Sequence, residues 1–189
     1  MKKSLLFAFF MTFALLSAFA NSDNFFTTEV SLGTGISIYD TNGDSLRKDI
    51  LSQKDYKRIV AGLTVDTNLN ISEPLKIMFG AEAFSDFLWN SPLYYNTLDY
   101  AFFTGIKVFP NKTGLNFSIS YVLGNRSDFY DDDTNTKAWG NGFRIAIQYD
   151  FMEKKDYKIK PSLGGYYRCI PRGDYNRDHI LCIYGGIRF

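Results

Sequence analysis

One histidine, two cysteines and a run of three aspartates are the side chains of this 189-residue sequence that invite chemistry. His179, the single histidine, could act as a general base if a hydroxyl and an orienting acid stood beside it. Ser85 or Ser91 and Asp86 or Asp99 supply those types, but nothing in their spacing selects them. His179 therefore reads as an interfacial side chain, and no catalytic residue is assigned. Cys169 and Cys182 bracket a turn around residues 171–178 and form a disulfide candidate in an exported chain. Counted from the apolar face, Cys169 points outward and Cys182 inward, so the bridge requires a β-bulge near residues 168–170 or Leu181. Asp131, Asp132 and Asp133 read as a solvated acidic loop. Asp40-Thr41-Asn42-Gly43-Asp44 opens like a calcium loop, but Ser45 replaces the required sixth-position Gly and Leu51 the closing Glu. No metal or cofactor is expected.

The elements that must position these residues begin after a leader. Lys2-Lys3, an apolar run from Leu5 to Leu16 and Ala18-Phe19-Ala20 make residues 1–20 a cleaved secretory signal. Residues 21–189 then form one domain. The two leader lysines leave 19 Lys+Arg against 20 Asp+Glu, a net charge near −1, so nucleic acid is a poor partner. After the leader no apolar run approaches the ~20 residues of a membrane helix.

The pattern that does appear has period two. Val30, Leu32, Ile36 and Ile38 alternate with Ser31, Gly33, Gly35, Ser37 and Tyr39. The same alternation recurs around residues 58–66, 75–84, 102–108, 115–124, 143–151, 159–170 and 180–189. Eight strands of about ten residues suit a tilted bilayer crossing. Connections near residues 70–74, 110–114 and 152–157 are short. Those near 40–56, 88–97, 125–141 and 171–178 are longer and polar. Short turns at one end and long loops at the other predict an all-β, eight-stranded antiparallel up-and-down transmembrane barrel with both termini at the turn end.

A soluble barrel would alternate equally, so the polar face decides. It carries small residues such as Gly62, Gly80, Gly105 and Ser118, which suit a narrow barrel interior. Its charges balance: Glu29, Asp66, Glu82, Asp86, Asp99 and Asp150 against Arg58, Lys76, Lys107, Arg144, Lys160, Arg168 and Arg188. A lumen ion-pair network is expected among Glu29, Arg58, Asp66, Lys76, Glu82, Lys107, Arg144, Asp150 and Arg188, because an unpaired buried charge is costly. Charge should concentrate in the turn-end half. Tyr39, Val60, Phe84, Val122 and Ile170 lie toward the loop ends and are the candidate lining of an apolar pocket. Trp89, Tyr94, Tyr95, Phe129, Tyr130 and Trp139 read mostly as girdle aromatics, with those at loop tips available as contact residues for a host or envelope partner.

The chain ends Tyr184-Gly185-Gly186-Ile187-Arg188-Phe189. A final Phe189 with Ile187 two residues before it resembles the C-terminal signal read by the outer-membrane assembly machinery. With the leader, the chain resembles the small eight-stranded outer-membrane barrels, the OmpA, OmpX, Ail and OmpW-like group, and barrels of unknown function from spirochaete-type envelopes. That resemblance implies a monomer in outer-membrane lipid of a bacterial cell, non-enzymatic. Its long surface loops would serve adhesion or contact with a host or envelope partner, above a largely plugged lumen. The alternative it implies is a narrow, OmpW-like barrel admitting small hydrophobic molecules.

Overall fold

Alternation of side chains across a pleated strand forces a sheet with one apolar and one polar face, and closing that sheet removes its exposed edges. The computed structural model describes residues 25–39, 45–90, 93–110, 113–130, 133–151, 159–172 and 177–189. The leader expected at residues 1–20 and two of the three aspartates, Asp131 and Asp132, lie outside the described residues.

The strands are β1 (Phe26–Tyr39), β2 (Lys57–Ser72), β3 (Leu75–Asn90), β4 (Leu93–Val108), β5 (Leu115–Tyr130), β6 (Asp133–Thr136), β7 (Gly140–Asp150), β8 (Lys160–Pro171) and β9 (Arg177–Arg188). One helix, α1 (Ser45–Ser52), follows β1. Neighbouring strands pair antiparallel, and β1 pairs with β9 to close the barrel. The last residue completes the ring: Phe189 donates its N–H to Thr28 O at 2.8 Å.

The short β6 is not a ninth wall strand. Ser127 faces Thr136 and Gly124 faces Gly140, so residues 137–139 oppose only Asn125 and Arg126. That is one extra residue, a β-bulge, and β6 with β7 makes the sixth of eight barrel strands. At the turn end Gly114 takes φ +88°, a conformation that strains any residue with a Cβ, and its carbonyl accepts the N–H of Asp150 at 2.8 Å.

The register also sets the tilt. Partners followed from Thr27 through Asn68, Met78, Gly105, Ser120, Arg144, Arg168 and Ile180 return to β1 at Ser37, ten residues further on. A stagger of this kind obliges strands to lean by roughly 35–45°.

The face assignment holds on every wall strand. Leu32 is 68% exposed and Ile183 65%, whereas Phe84, Val122 and Asp86 inside are 0% exposed. Two expected loops prove to be strand. β3 and β4 pair up to Asn90↔Leu93, so the loop expected at residues 88–97 shrinks to a tight hairpin. β5 runs on to Tyr130 and pairs β6, absorbing much of the loop expected at 125–141. The β3–β6 wall therefore stands taller than β7–β9.

Cys169 and Cys182 are both free, which corrects the disulfide candidate. The β8–β9 ladder is continuous: Cys169 faces His179, and Cys182 faces Tyr166. Without the bulge the bridge required, the two thiols stay three residues out of register and on opposite faces.

Candidate functional site

An eight-stranded barrel is about as wide as the side chains that fill it. The lumen and its mouth are thus where this sequence concentrates polar chemistry. At the turn end Glu29 accepts Ser162 Oγ at 2.6 Å and Gln148 Nε2 at 3.0 Å, with Lys107 Nζ 3.5 Å away. Arg188 bonds Asp150, and Tyr184 Oη donates to Gln148 Oε1 at 2.9 Å. Asp66 accepts Asn68 Nδ2 at 2.7 Å and shares with Lys107 and Arg144 the lining of a cavity of about 10 Å³, roughly one water's room. Lys76 lies over the Phe109 ring, 4.5 Å from its centre.

Midway, Glu82 binds Arg168 at 2.7 Å and Arg144 at 3.3 Å, and Arg168 reaches Asp99 at 2.6 Å. The Arg144 guanidinium also stacks on Tyr166 and Phe103. Arg168, Glu82 and Asp99 have side chains fully removed from solvent. Such charges persist only because each faces its opposite.

The loop end is equally charged. Arg58 holds Asp86 with two bonds of 2.9 and 2.8 Å, and Arg47 from α1 binds the same carboxylate at 2.7 Å. Arg126 joins Asp178 and Asp128, and Arg172 joins Asp178 at 2.6 Å and Asp99 at 3.8 Å. Tyr39 lies between two guanidiniums, Arg47 at 5.1 Å and Arg126 at 4.8 Å.

Of the expected network, Glu29–Lys107, Asp150–Arg188 and Glu82–Arg144 form as pairs, while Arg58 pairs at the opposite end, with Asp86. The expectation of charge confined to the turn-end half is overturned: ion pairs run from the turn end through the middle to the mouth, with aromatic and aliphatic clusters set among them. Sequence reasoning missed Arg47, Arg126, Asp128, Arg172 and Asp178. The alternation of β5 carried past Gly124 would have placed Arg126 and Asp128 inside. No sequence periodicity marks Arg47.

The candidate apolar pocket does not exist as one lining. Val122 and Ile170 pack with Met78, Ala101 and Phe103. Phe84 and Val60 pack with Tyr166, Ile180, Cys182 and Tyr184, and Tyr39 belongs to the charged mouth. The cause is register, which sets these residues at different heights and on different walls.

The mouth is covered from one side. α1 packs against β3 and β4, and Ile50 is fully buried with Leu88 and Tyr95, beside Leu93 and Tyr130. Tyr95 and Tyr130 stack at 5.8 Å, inside the mouth rather than in a girdle. Trp139, by contrast, stacks outside on Phe102 and meets Tyr100 edge-on.

The residues weighed for catalysis stay apart. His179 stands on the outer face of β9, where Nδ1 and Tyr167 Oη are 2.7 Å apart. Ser85 bonds Asn96 on the outer face of β3–β4, while Asp86 and Asp99 are in the lumen. Ser91 lies outside the described residues.

A closed eight-stranded antiparallel barrel, apolar outside and charged inside, is the class these features define. Its fold is that of eight-stranded outer-membrane barrels. It is similar to Ail, the attachment invasion locus protein of Yersinia pestis, solved with the heparin analogue sucrose octasulfate: TM-score 0.57, 11% identity, 87% of this chain and 99% of that one. It is also similar to Neisserial surface protein A: TM-score 0.56, 8% identity, 86% of this chain and 95% of that one. No family model matches the sequence, and no curated protein does. At such identities the likeness is one of fold.

Proposed function

We propose that this chain is an integral outer-membrane barrel, delivered by its leader, whose role is non-enzymatic contact at the cell surface through the loop end, above a plugged lumen. The observation that carries the reading is the outer wall. Ile36, Ile38, Ile59, Phe102, Ile119, Ile145, Leu163 and Ile183 are all exposed and surround the barrel in a band far larger than a soluble monomer tolerates. Plugging is supported by ion pairs between separated wall strands at three levels, Glu29–Lys107, Glu82–Arg168 and Arg126–Asp178, and by α1 over the mouth. Ile187 on β9 and Phe189 just past its end both face outward and suit the assembly signal.

A densely sulfated sugar, such as the heparin analogue sucrose octasulfate in the solved complex of Ail, fits this chain less well. The four arginines that line the mouth are offset by four aspartates: Arg47 and Arg58 meet Asp86, Arg126 meets Asp128 and Asp178, and Arg172 meets Asp178 and Asp99. A protein surface is the better partner. Refolding in detergent, followed by gel migration before and after boiling and by cell-binding assays, tests both halves. A heat-insensitive chain would sink the barrel in its membrane role; a heat-modifiable chain whose loop-exchanged variant binds cells unchanged would sink the contact role.

A second reading, lateral entry of small hydrophobic molecules, rests on the β1–β2 seam. Their ladder stops at Gly33↔Gly62, although β1 continues to Tyr39 along β9 and β2 begins at Lys57 along β3. Side chains bridge the gap instead: Thr34 Oγ1 to Val60 O at 2.8 Å and Arg58 to Ser37 at 3.2 Å. Behind it lies the Phe84–Ile180–Cys182 cluster. Saturable binding of a fluorescent fatty acid, lost in Phe84→Asp, would favour this reading.

A further inference from the structure

Helix α1 covers the mouth in the manner of a bound ligand. It is one of the few parts of the described chain that is not barrel wall, and it packs mainly on the inner side of the tall β3–β4 hairpin, with Tyr39 of β1 and Tyr130 of β5 beside it. Two side chains three residues apart, on one helix face, make the deep contacts. Ile50, fully buried, enters a slot formed by Leu88 and Tyr95 and flanked by Leu93 and Tyr130. Arg47 reaches Asp86 Oδ2 at 2.7 Å and Thr97 Oγ1 at 3.4 Å, with its guanidinium between the Tyr39 and Tyr95 rings. Lys48, Asp49, Leu51 and Ser52 remain exposed.

Three observations make this contact exchangeable. Eight residues are too few to hold a helix in water unaided, so α1 draws its order from the slot. Asp86 keeps Arg58 on both carboxylate oxygens when Arg47 leaves, so departure strands no acid. The slot is carried by the β3–β4–β5 ladder, continuous to Asn90↔Leu93 and Tyr95↔Tyr130, and none of those backbone pairings is made by α1.

We infer that the inner face of the β3–β5 wall is a helix-binding cleft, that α1 is its tethered self-ligand, and that the partner it takes is an amphipathic protein helix bearing an arginine three residues before an aliphatic side chain. The inference deepens the reading of the loop end as a contact surface by naming the cleft and the chemistry that fits it. A tethered segment competes at an effective concentration in the millimolar range, so the parent is self-masked and a partner must displace α1 or meet it already displaced.

The test uses the detergent-folded full chain and a fluorescein-labelled synthetic peptide of residues 40–56, followed by anisotropy. The double variant R47S/I50D should bind that peptide at least tenfold more tightly than the parent does. A peptide carrying the same two changes should not bind it. Adding Leu88→Asp to the double variant should abolish binding while the heat-modifiable gel shift persists, which separates loss of the cleft from loss of the fold. A folded double variant that binds neither peptide, or both alike, would overturn the cleft. Anisotropy decides this without a cell-binding assay, so the cleft can fail while the surface-contact role stands, and the reverse.

Discussion

Arg168 shows what a single buried charge does in this barrel. Its guanidinium is shared between Glu82 at 2.7 Å and Asp99 at 2.6 Å, with all three side chains out of solvent. Replacing it by Leu leaves two carboxylates facing each other without their cation. Breaking a buried pair costs about 3–5 kcal/mol, so Arg168→Leu should lower the urea midpoint of the detergent-folded barrel sharply. Glu82 retains Arg144 at 3.3 Å, and Asp99 retains, among the described residues, the more distant Arg172 at 3.8 Å. Adding Asp99→Asn should therefore recover more of the loss than adding Glu82→Gln. Equal recovery would mean that the two acids lean on Arg168 alike.

At the scale of elements, the bulge at residues 137–139 is held by Arg172, the residue just past the end of β8. Arg172 donates to Gly124 O at 2.6 Å and to Ala138 O at 3.0 Å, while Asp178 anchors the same guanidinium. Trp139, at the end of the bulge, stacks on Phe102 at 6.3 Å. Removing the clamp with Arg172→Ala frees the two carbonyls and the ring position they fix. In a Trp89→Phe background, where Trp139 is the remaining indole, the emission of Arg172→Ala should shift to the red relative to the background alone. An unchanged spectrum would mean that stacking, rather than the arginine, sets the bulge. Asp99 and Asp178 would also lose a partner, so a modest loss of stability should accompany the shift.

For the whole molecule, the decisive property is which face meets lipid. Ile145 and Ile119 stand directly opposite one another on the outer face of the β5–β7 ladder, and Gln148 points inward at Glu29 and Asp150. A lysine at the bilayer midplane on the outer face costs about 2–4 kcal/mol. Ile145→Lys and Ile119→Lys should each impair refolding by about that amount, read from urea titration in lipid vesicles. Gln148→Lys should be milder, because its ammonium would stay within reach of Glu29 and Asp150 in a polar lumen, beside Lys107 and Arg188, instead of entering lipid. Equal damage from all three would mean that the outer wall is not the lipid face.

The sequence alone determined the architecture because a barrel writes itself in local terms. A period-two pattern assigns each residue of a strand to one face, whatever that strand pairs with, so Leu32 outward and Glu82 inward could be read from alternation. The short turns after β2, β4 and β7 set the antiparallel order and the end on which the termini fall, although two of the long connections expected opposite them proved to be largely strand. Register decided the rest, since it depends on which residues of two distant segments come level. Cys169 opposite His179 rather than Cys182, Arg58 joined to Asp86 at the mouth, and Val122 and Phe84 in separate clusters all follow from pairings that span up to the whole ring. The seating of Ile50 against Leu88 and Tyr95 lay beyond sequence for the same reason: an eight-residue helix carries no periodic signal of its own, and its place exists only once β3 and β4 have risen beside it.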